Sequence, residues 1–163
     1  MLQYEEALAR VITAVPTPAT EAIALADADG RILAQEILSP IDLPPFDNSA
    51  MDGYAVLAAD VASAKPDSPG RLRLAGRVAA GEKSLAEVTA GTCVRLFTGS
   101  PLPNGADAVV MQEDTKTDAA APNEVLVLDS VKRWENVRFV GEDIKRGTVV
   151  AAKGDAQIGR AHV

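Results

Sequence analysis

The residues best suited to chemistry in this chain are carboxylates and hydroxyls. Residues 43–56 read LPPFDNSAMDGYAV and bring Asp47, Asn48, Ser49 and Asp52 close together; Thr98 and Ser100 follow in FTGSP, and Glu142 and Asp143 in GEDI. Carboxylates can hold a hard cation such as Mg²⁺, which prefers oxygen ligands. The net charge of −7 leaves room for that use, and equally serves solubility. A single cysteine, Cys93, and a single histidine, His162, exclude a zinc site built from Cys and His within the chain. As backbone physics, Asp52-Gly53 between Met51 and Tyr54 predicts a two-residue hairpin turn. Asp47, Asn48 and Ser49 suit an Asx turn. Composition and spacing alone point to no reaction.

The elements that must position these residues are mostly strands. Leu8, Val11, Ile12 and Val15 recur at helical spacing and Pro16 follows, which predicts one N-terminal helix. A short second helix is expected over residues 26–33, weakened by Gly30. Pro40, Pro44 and Pro45 mark an extended stretch. Residues 88–97, 108–112, 124–131 and 147–151 are short runs rich in β-branched residues and bounded by turn formers. Asn104-Gly105 predicts a tight turn, and TKTDAAAPN over 115–123 an exposed hairpin tip. The organisation expected is a helix and linking segment over 1–45, a β-rich domain over 46–136, and a return to the linking region over 137–163. After Gly154-Asp155, Gln157, Ile158, Ala161 and His162 predict a helix capped by Asp155, and the expectation is a chain that continues beyond Val163.

The same composition excludes several classes. Apolar residues make up 47% and charged residues 24%, as in a globular protein. The sixteen Lys and Arg are scattered, so no basic face for nucleic acid is expected. No apolar run approaches the roughly 20 residues of a membrane helix. Glu5 and Glu6 stand where a signal peptide would carry basic residues, and one cysteine rules out an internal disulfide, so a cytoplasmic location is expected.

Three blocks carry a resemblance. DNSAMDGYAV, GTCVRLFTGSPLPNGADAVV over residues 91–110, and GEDI over 141–144 stand in this order and resemble the molybdopterin molybdenumtransferases, the MoeA and gephyrin E-domain family. The resemblance implies a fold that is mainly β with an N-terminal helix: irregular, coiled β-sheets of the MoeA N-terminal type, a β-rich α+β class. It implies insertion of molybdate into adenylated molybdopterin with release of AMP, assisted by Mg²⁺ or another divalent cation. It also implies a homodimer in the complete enzyme and a molybdopterin-adenylating protein or domain as upstream partner. The family's pterin-binding domain lies downstream of these blocks, so the segment alone is expected to be inactive.

By the same resemblance Asp52 is the leading catalytic candidate, then Asp143 and Thr98, with Asp52 and Asp143 as metal ligands and Ser100 and Glu142 as substrate-binding residues. Asp143 equally suits a turn beside Lys145 and Arg146, and Thr98 a loop that ends a strand. Before GEDI, Arg138 keeps a family match, whereas Phe139 and Val140 replace positions that can be basic. Cys93 fits a small core position, Trp134 the core or its rim, and Pro44-Pro45 a stiff approach to the first block. The other reading is a non-enzymatic β-rich module for dimerisation or partner binding.

Overall fold

The computed structural model describes residues 2–82, 86–118 and 120–157. The chain divides into two compact units, Met1–Leu38 with Val149–Val163, and Ser39–Thr148. Residues 39–45 and 137–148, expected outside the β-rich segment, belong to the second unit.

In the first unit, helix α1 spans Tyr4–Ala14 and ends before Pro16, whose missing N–H could not continue it. Its apolar stripe of Leu8, Val11 and Ile12 is exposed: the periodicity locates the helix, yet no described residue buries its face. The second helix is not there. Residues 26–33 hold only the end of a 3-10 turn, Leu25–Asp27, and Gly30 at φ +72° redirects the chain. Ile32 then bridges Ala156, and strand β1, Ile37–Leu38, pairs antiparallel with the last strand, β10, Val149–Ala151. Asp155 accepts the Ala152 N–H at 2.8 Å and so closes a turn, and the Gln157 N–H donates to the Arg31 carbonyl at 2.8 Å. Residues 155–157 are therefore not a helix start; the remainder of that expected helix, His162 included, lies outside the described residues.

The second unit contains β2 (Asn48–Ser49), β3 (Gly53–Val56), β4 (Gly70–Val78), β5 (Thr92–Leu96), β6 (Ala108–Met111), β7 (Thr115–Asp118), β8 (Ala121–Val127) and β9 (Val137–Arg138). Six of these form a curled sheet in the order β6-β3-β5-β4-β8-β7, antiparallel except for the parallel β4–β5 pair. β2 and β9 form a separate antiparallel pair.

Both faces of the curled sheet are apolar. Tyr54, Val56, Leu72, Cys93, Val110, Val125 and Val127 make one core, and Ala55, Val78, Val94, Leu96 and Val109 the other. This is why β3, β5 and β6 read as continuous hydrophobic runs and not as alternating ones. Removing each valine from water contributes on the order of 1.5–3 kcal/mol. Cys93 takes the core position expected of it, and burial pushes its thiol up to about 12.

Candidate functional site

The three blocks of interest fold onto one another through main-chain hydrogen bonds. The first is joined to the second by Ser49 N–H to Ser100 carbonyl at 3.0 Å, Gly99 N–H to Ser49 carbonyl at 2.9 Å, and Leu102 N–H to Asp47 carbonyl at 3.0 Å. It is joined to the stretch before GEDI by the register Asn48↔Arg138 and Ser49↔Val137, and by Ala50 N–H to Asn136 carbonyl at 2.9 Å. The Asp143 and Ile144 N–H groups both donate to the Leu43 carbonyl. Local side chains lock these loops. Ser49 Oγ bonds the Met51 carbonyl at 2.5 Å, and Asp47 Oδ1 accepts the Val140 N–H at 2.8 Å.

Asp52 and Thr98 meet directly. Asp52 Oδ1 accepts two hydrogen bonds, from the Thr98 N–H at 2.8 Å and from Thr98 Oγ1 at 2.7 Å. Those donors, first the backbone and then the hydroxyl, hold the Asp52 carboxyl below its ordinary value of 3.8; slight desolvation opposes them and the charge of Arg95 adds to them. The Asp52 carbonyl accepts the Gln112 N–H at 3.0 Å, which ties it to the end of β6. Among the described residues Oδ2 carries no hydrogen bond, so it remains free to accept from a ligand, a water or a hydrated cation.

The local chain explains this placement. Gly53 opens β3 opposite both Leu96 and Met111. The expected Asp52-Gly53 hairpin turn is thus replaced by a strand start, and Gly53 does not have a positive φ. Its lack of a side chain serves a different need, because a Cβ there would lie 2.0 Å from the Val110 carbonyl oxygen. The Thr98-Gly99 turn, with Gly99 at φ +80°, then delivers the Thr98 N–H to the carboxylate.

A model of the MoeA N-terminal region (domain I and II) matches residues 2–163. The chain belongs to this MoeA family. It is 41% identical over 138 residues to the molybdopterin molybdenumtransferase of Synechococcus elongatus, covering 83% of this chain and 33% of that one. To the molybdopterin molybdenumtransferase of Haemophilus influenzae it is 37% identical over 155 residues, covering 94% and 37%. Among solved structures, the molybdopterin biosynthesis moeA protein of Pyrococcus horikoshii superposes with a TM-score of 0.79 at 40% identity, covering 84% of this chain and 35% of that one. The chain spans about a third of the length of these relatives.

The other expected MoeA site residues take different positions. Asp143 is exposed and receives a guanidinium nitrogen of Arg138 on both carboxylate oxygens. This contact first, and the charges of Asp143 and Glu142 next to it, raise the pKa of Arg138. Asp143 has no hydrogen bond to Asp52 or Thr98 among the described residues. Glu142 accepts the Phe139 N–H at 2.8 Å and so fastens the turn before GEDI. Ser100 is fully buried; its hydroxyl donates to the Val78 carbonyl at 3.0 Å and accepts the Phe97 N–H at 3.2 Å. Arg138 was not among the expected site residues, although its place just before GEDI is the signal that marks it.

Among the described residues no three Asp, Glu, His or Cys side chains gather closely enough to hold a metal ion by themselves. The donors at the Asp52–Thr98 junction are all oxygens, the class that suits Mg²⁺ bound through one carboxylate with waters and phosphate completing its shell.

One consequence concerns pH. A folded-state pKa lowered by Thr98 contributes stability that is fully present above the unfolded value near ~3.9, and that is lost as pH falls through the lower folded value. Thr98→Val removes one donor, and the Asp52 midpoint, followed by carboxyl ¹³C shifts, is expected to rise toward the ordinary range. An unchanged midpoint would show that the hydroxyl has no part in it.

Proposed function

We propose that this chain is the N-terminal part of a molybdopterin molybdenumtransferase, which inserts molybdate into adenylated molybdopterin in molybdenum cofactor biosynthesis and releases AMP. The observation that carries the reading is the contact of Asp52 with Thr98, made between two blocks of the matched family region. It lowers the pKa of one carboxylate, fixes its rotamer and leaves one oxygen free. That oxygen is placed to orient an attacking group or a hydrated Mg²⁺, whose charge would offset that of a phosphoanhydride. Thr98 Oγ1 is the second oxygen available to the same cation.

Asp143 has a separate part in this reading. Engaged by Arg138 on both oxygens, it is better suited to hold that guanidinium in place than to share a metal with Asp52. Arg138 then presents a fixed cation from β9. Ser100, with its hydroxyl committed to Val78, supports the 98–101 turn from below and does not face a substrate. Glu142 plays the corresponding part for the turn at 139–142.

The complete protein is proposed to be a cytoplasmic homodimer supplied by a molybdopterin-adenylating protein. The exposed apolar stripe of α1 supports association with a second copy, and no helix among the described residues is long and apolar enough to cross a membrane. Because the chain covers about a third of its relatives, the pterin is expected to be held by other residues. The 163-residue chain should therefore release no AMP from adenylated molybdopterin at any Mg²⁺ concentration, while the same chain extended to the relatives' length should. Quantifying AMP by chromatography separates these outcomes, and turnover by the short chain would overturn this division of labour.

A further inference from the structure

Arg10, Arg31, Arg71, Arg133 and Arg138 each pair with a carboxylate. Three other arginines behave differently: Arg73 and Arg77, on β4 with Arg71, and Arg95 on β5 have no ion pair among the described residues. In a chain with net charge −7, carboxylates are plentiful, so the missing partners are a feature of these positions.

Strand register brings two of them together. An irregularity between Leu74 and Gly76 shifts β4, so that Arg73 lies opposite Thr92 but Arg77 lies directly opposite Arg95. Like charges opposed across a sheet destabilise it. Arg95 in turn lies opposite Tyr54 on β3, and its guanidinium carbon sits 4.9 Å from the centroid of the Tyr54 ring and 5.3 Å from that of Phe97. A further bond to Gln112 Oε1 fixes the guanidinium in place. An arginine has five N–H donors, and Gln112 takes only one hydrogen bond.

The space in front of Arg95 is an open depression of about 630 Å³ lined by Tyr54, Arg95, Gln112, Glu113, Thr115 and Thr117. Thr115 and Thr117 lie opposite Val127 and Val125, members of the same core as Tyr54, so they project to the inner side of the curled sheet. The depression therefore opens on the inner side of the curl, and its lining is mostly polar, with Tyr54 its one aromatic member. Glu113 opposes an anion here, although Gln112 Nε2 already donates to it at 3.4 Å.

We propose that Arg95 in this depression, with Arg77 beside it on β4, receives a phosphate group, the Thr117 hydroxyl donating to one of its remaining oxygens while that of Thr115 stays on the Gln112 carbonyl. Guanidinium groups match the geometry of tetrahedral phosphate oxygens, and charge-assisted bonds to them are roughly twice as strong as neutral ones. The Asp52 carboxylate, which feels the charge of Arg95, also opposes an anion here; neither it nor Thr98 is a ligand of the proposed site.

The ¹⁵N-labelled 163-residue chain, titrated at low salt with inorganic phosphate or AMP and with potassium chloride as control, tests it. The Nε–Hε signals of Arg77 and Arg95 are expected to shift saturably at roughly millimolar anion. Chloride should act at least about fivefold more weakly. Tighter binding of AMP would identify a phosphate ester as the ligand and equal binding the free anion; either supports the site. Arg77→Gln, an exposed change that leaves the core untouched, and Arg95→Gln are each expected to weaken binding about fivefold or more, and Arg73→Gln to leave it unchanged. Shifts that never saturate, that persist in Arg77→Gln, or that chloride reproduces would overturn the proposal.

Discussion

In the protein extended to its relatives' length, Asp52→Asn is expected to slow molybdate insertion on the order of a hundredfold or more, the scale of losing a group that orients a nucleophile or a cation. Asparagine is nearly isosteric, and its side-chain oxygen can still accept the two bonds from the Thr98 N–H and Oγ1. The turn should therefore survive, and with it the fold. What is lost is the negative charge of the carboxylate, whose second oxygen carries no hydrogen bond among the described residues. Conversion of molybdopterin by purified variant at matched protein concentration gives the answer, with circular dichroism confirming the fold. A near-wild-type rate would remove Asp52 from the chemistry.

How far the sequence could anticipate this site differs from residue to residue. Asp52 and Thr98 were identifiable from the blocks they occupy, but nothing in their spacing required them to touch. Their contact depends on β3 lying beside β5, a pairing between residues distant in sequence. Ser100 is placed differently from Thr98. A serine two positions after Thr98 reads as a second ligand, yet the turn at Gly99 points one side chain outward and buries the other against Val78. Asp143 is acidic and exposed, but Arg138 opposite Asn48 claims it, a partnership set by the β2–β9 register.

Secondary structure shows the same division. The N-terminal helix and the runs that became β5, β6, β8 and β10 carry local signals strong enough to read. β4, the longest strand, was missed, because GRLRLAGRV mixes arginines with glycines that lower strand propensity. Residues 115–118, expected at a hairpin tip, form β7, held by its pairing with β8 and not by composition. Residues 26–33 failed as a helix because Gly30 adopts a left-handed conformation and Ile32 pairs with Ala156, far along the chain.

Gly53 offers the sharpest structural test, since the reason for its glycine differs from the one its turn-like context suggests. Gly53→Ala would place a Cβ 2.0 Å from the Val110 carbonyl oxygen, 2.9 Å from the Val110 carbonyl carbon and 3.2 Å from the Met111 Cα. All three are backbone atoms of β6, which is hydrogen-bonded to β3 along its length and buried. They cannot rotate away as a side chain would, so the two strands must separate. The expected loss is about 3 kcal/mol or more, at or beyond the upper end for overpacked cores. Gly76→Ala is the matched control within the same sheet: its φ is not positive and the nearest contact is the Ala86 Cβ at 3.4 Å, so urea midpoints should barely change. If Gly53→Ala unfolded at the wild-type midpoint, the close approach of β6 to β3 would be wrong. The Gln112 N–H would then no longer be fixed against the Asp52 carbonyl, and the placement of Asp52 beside Thr98 would lose its mechanical support.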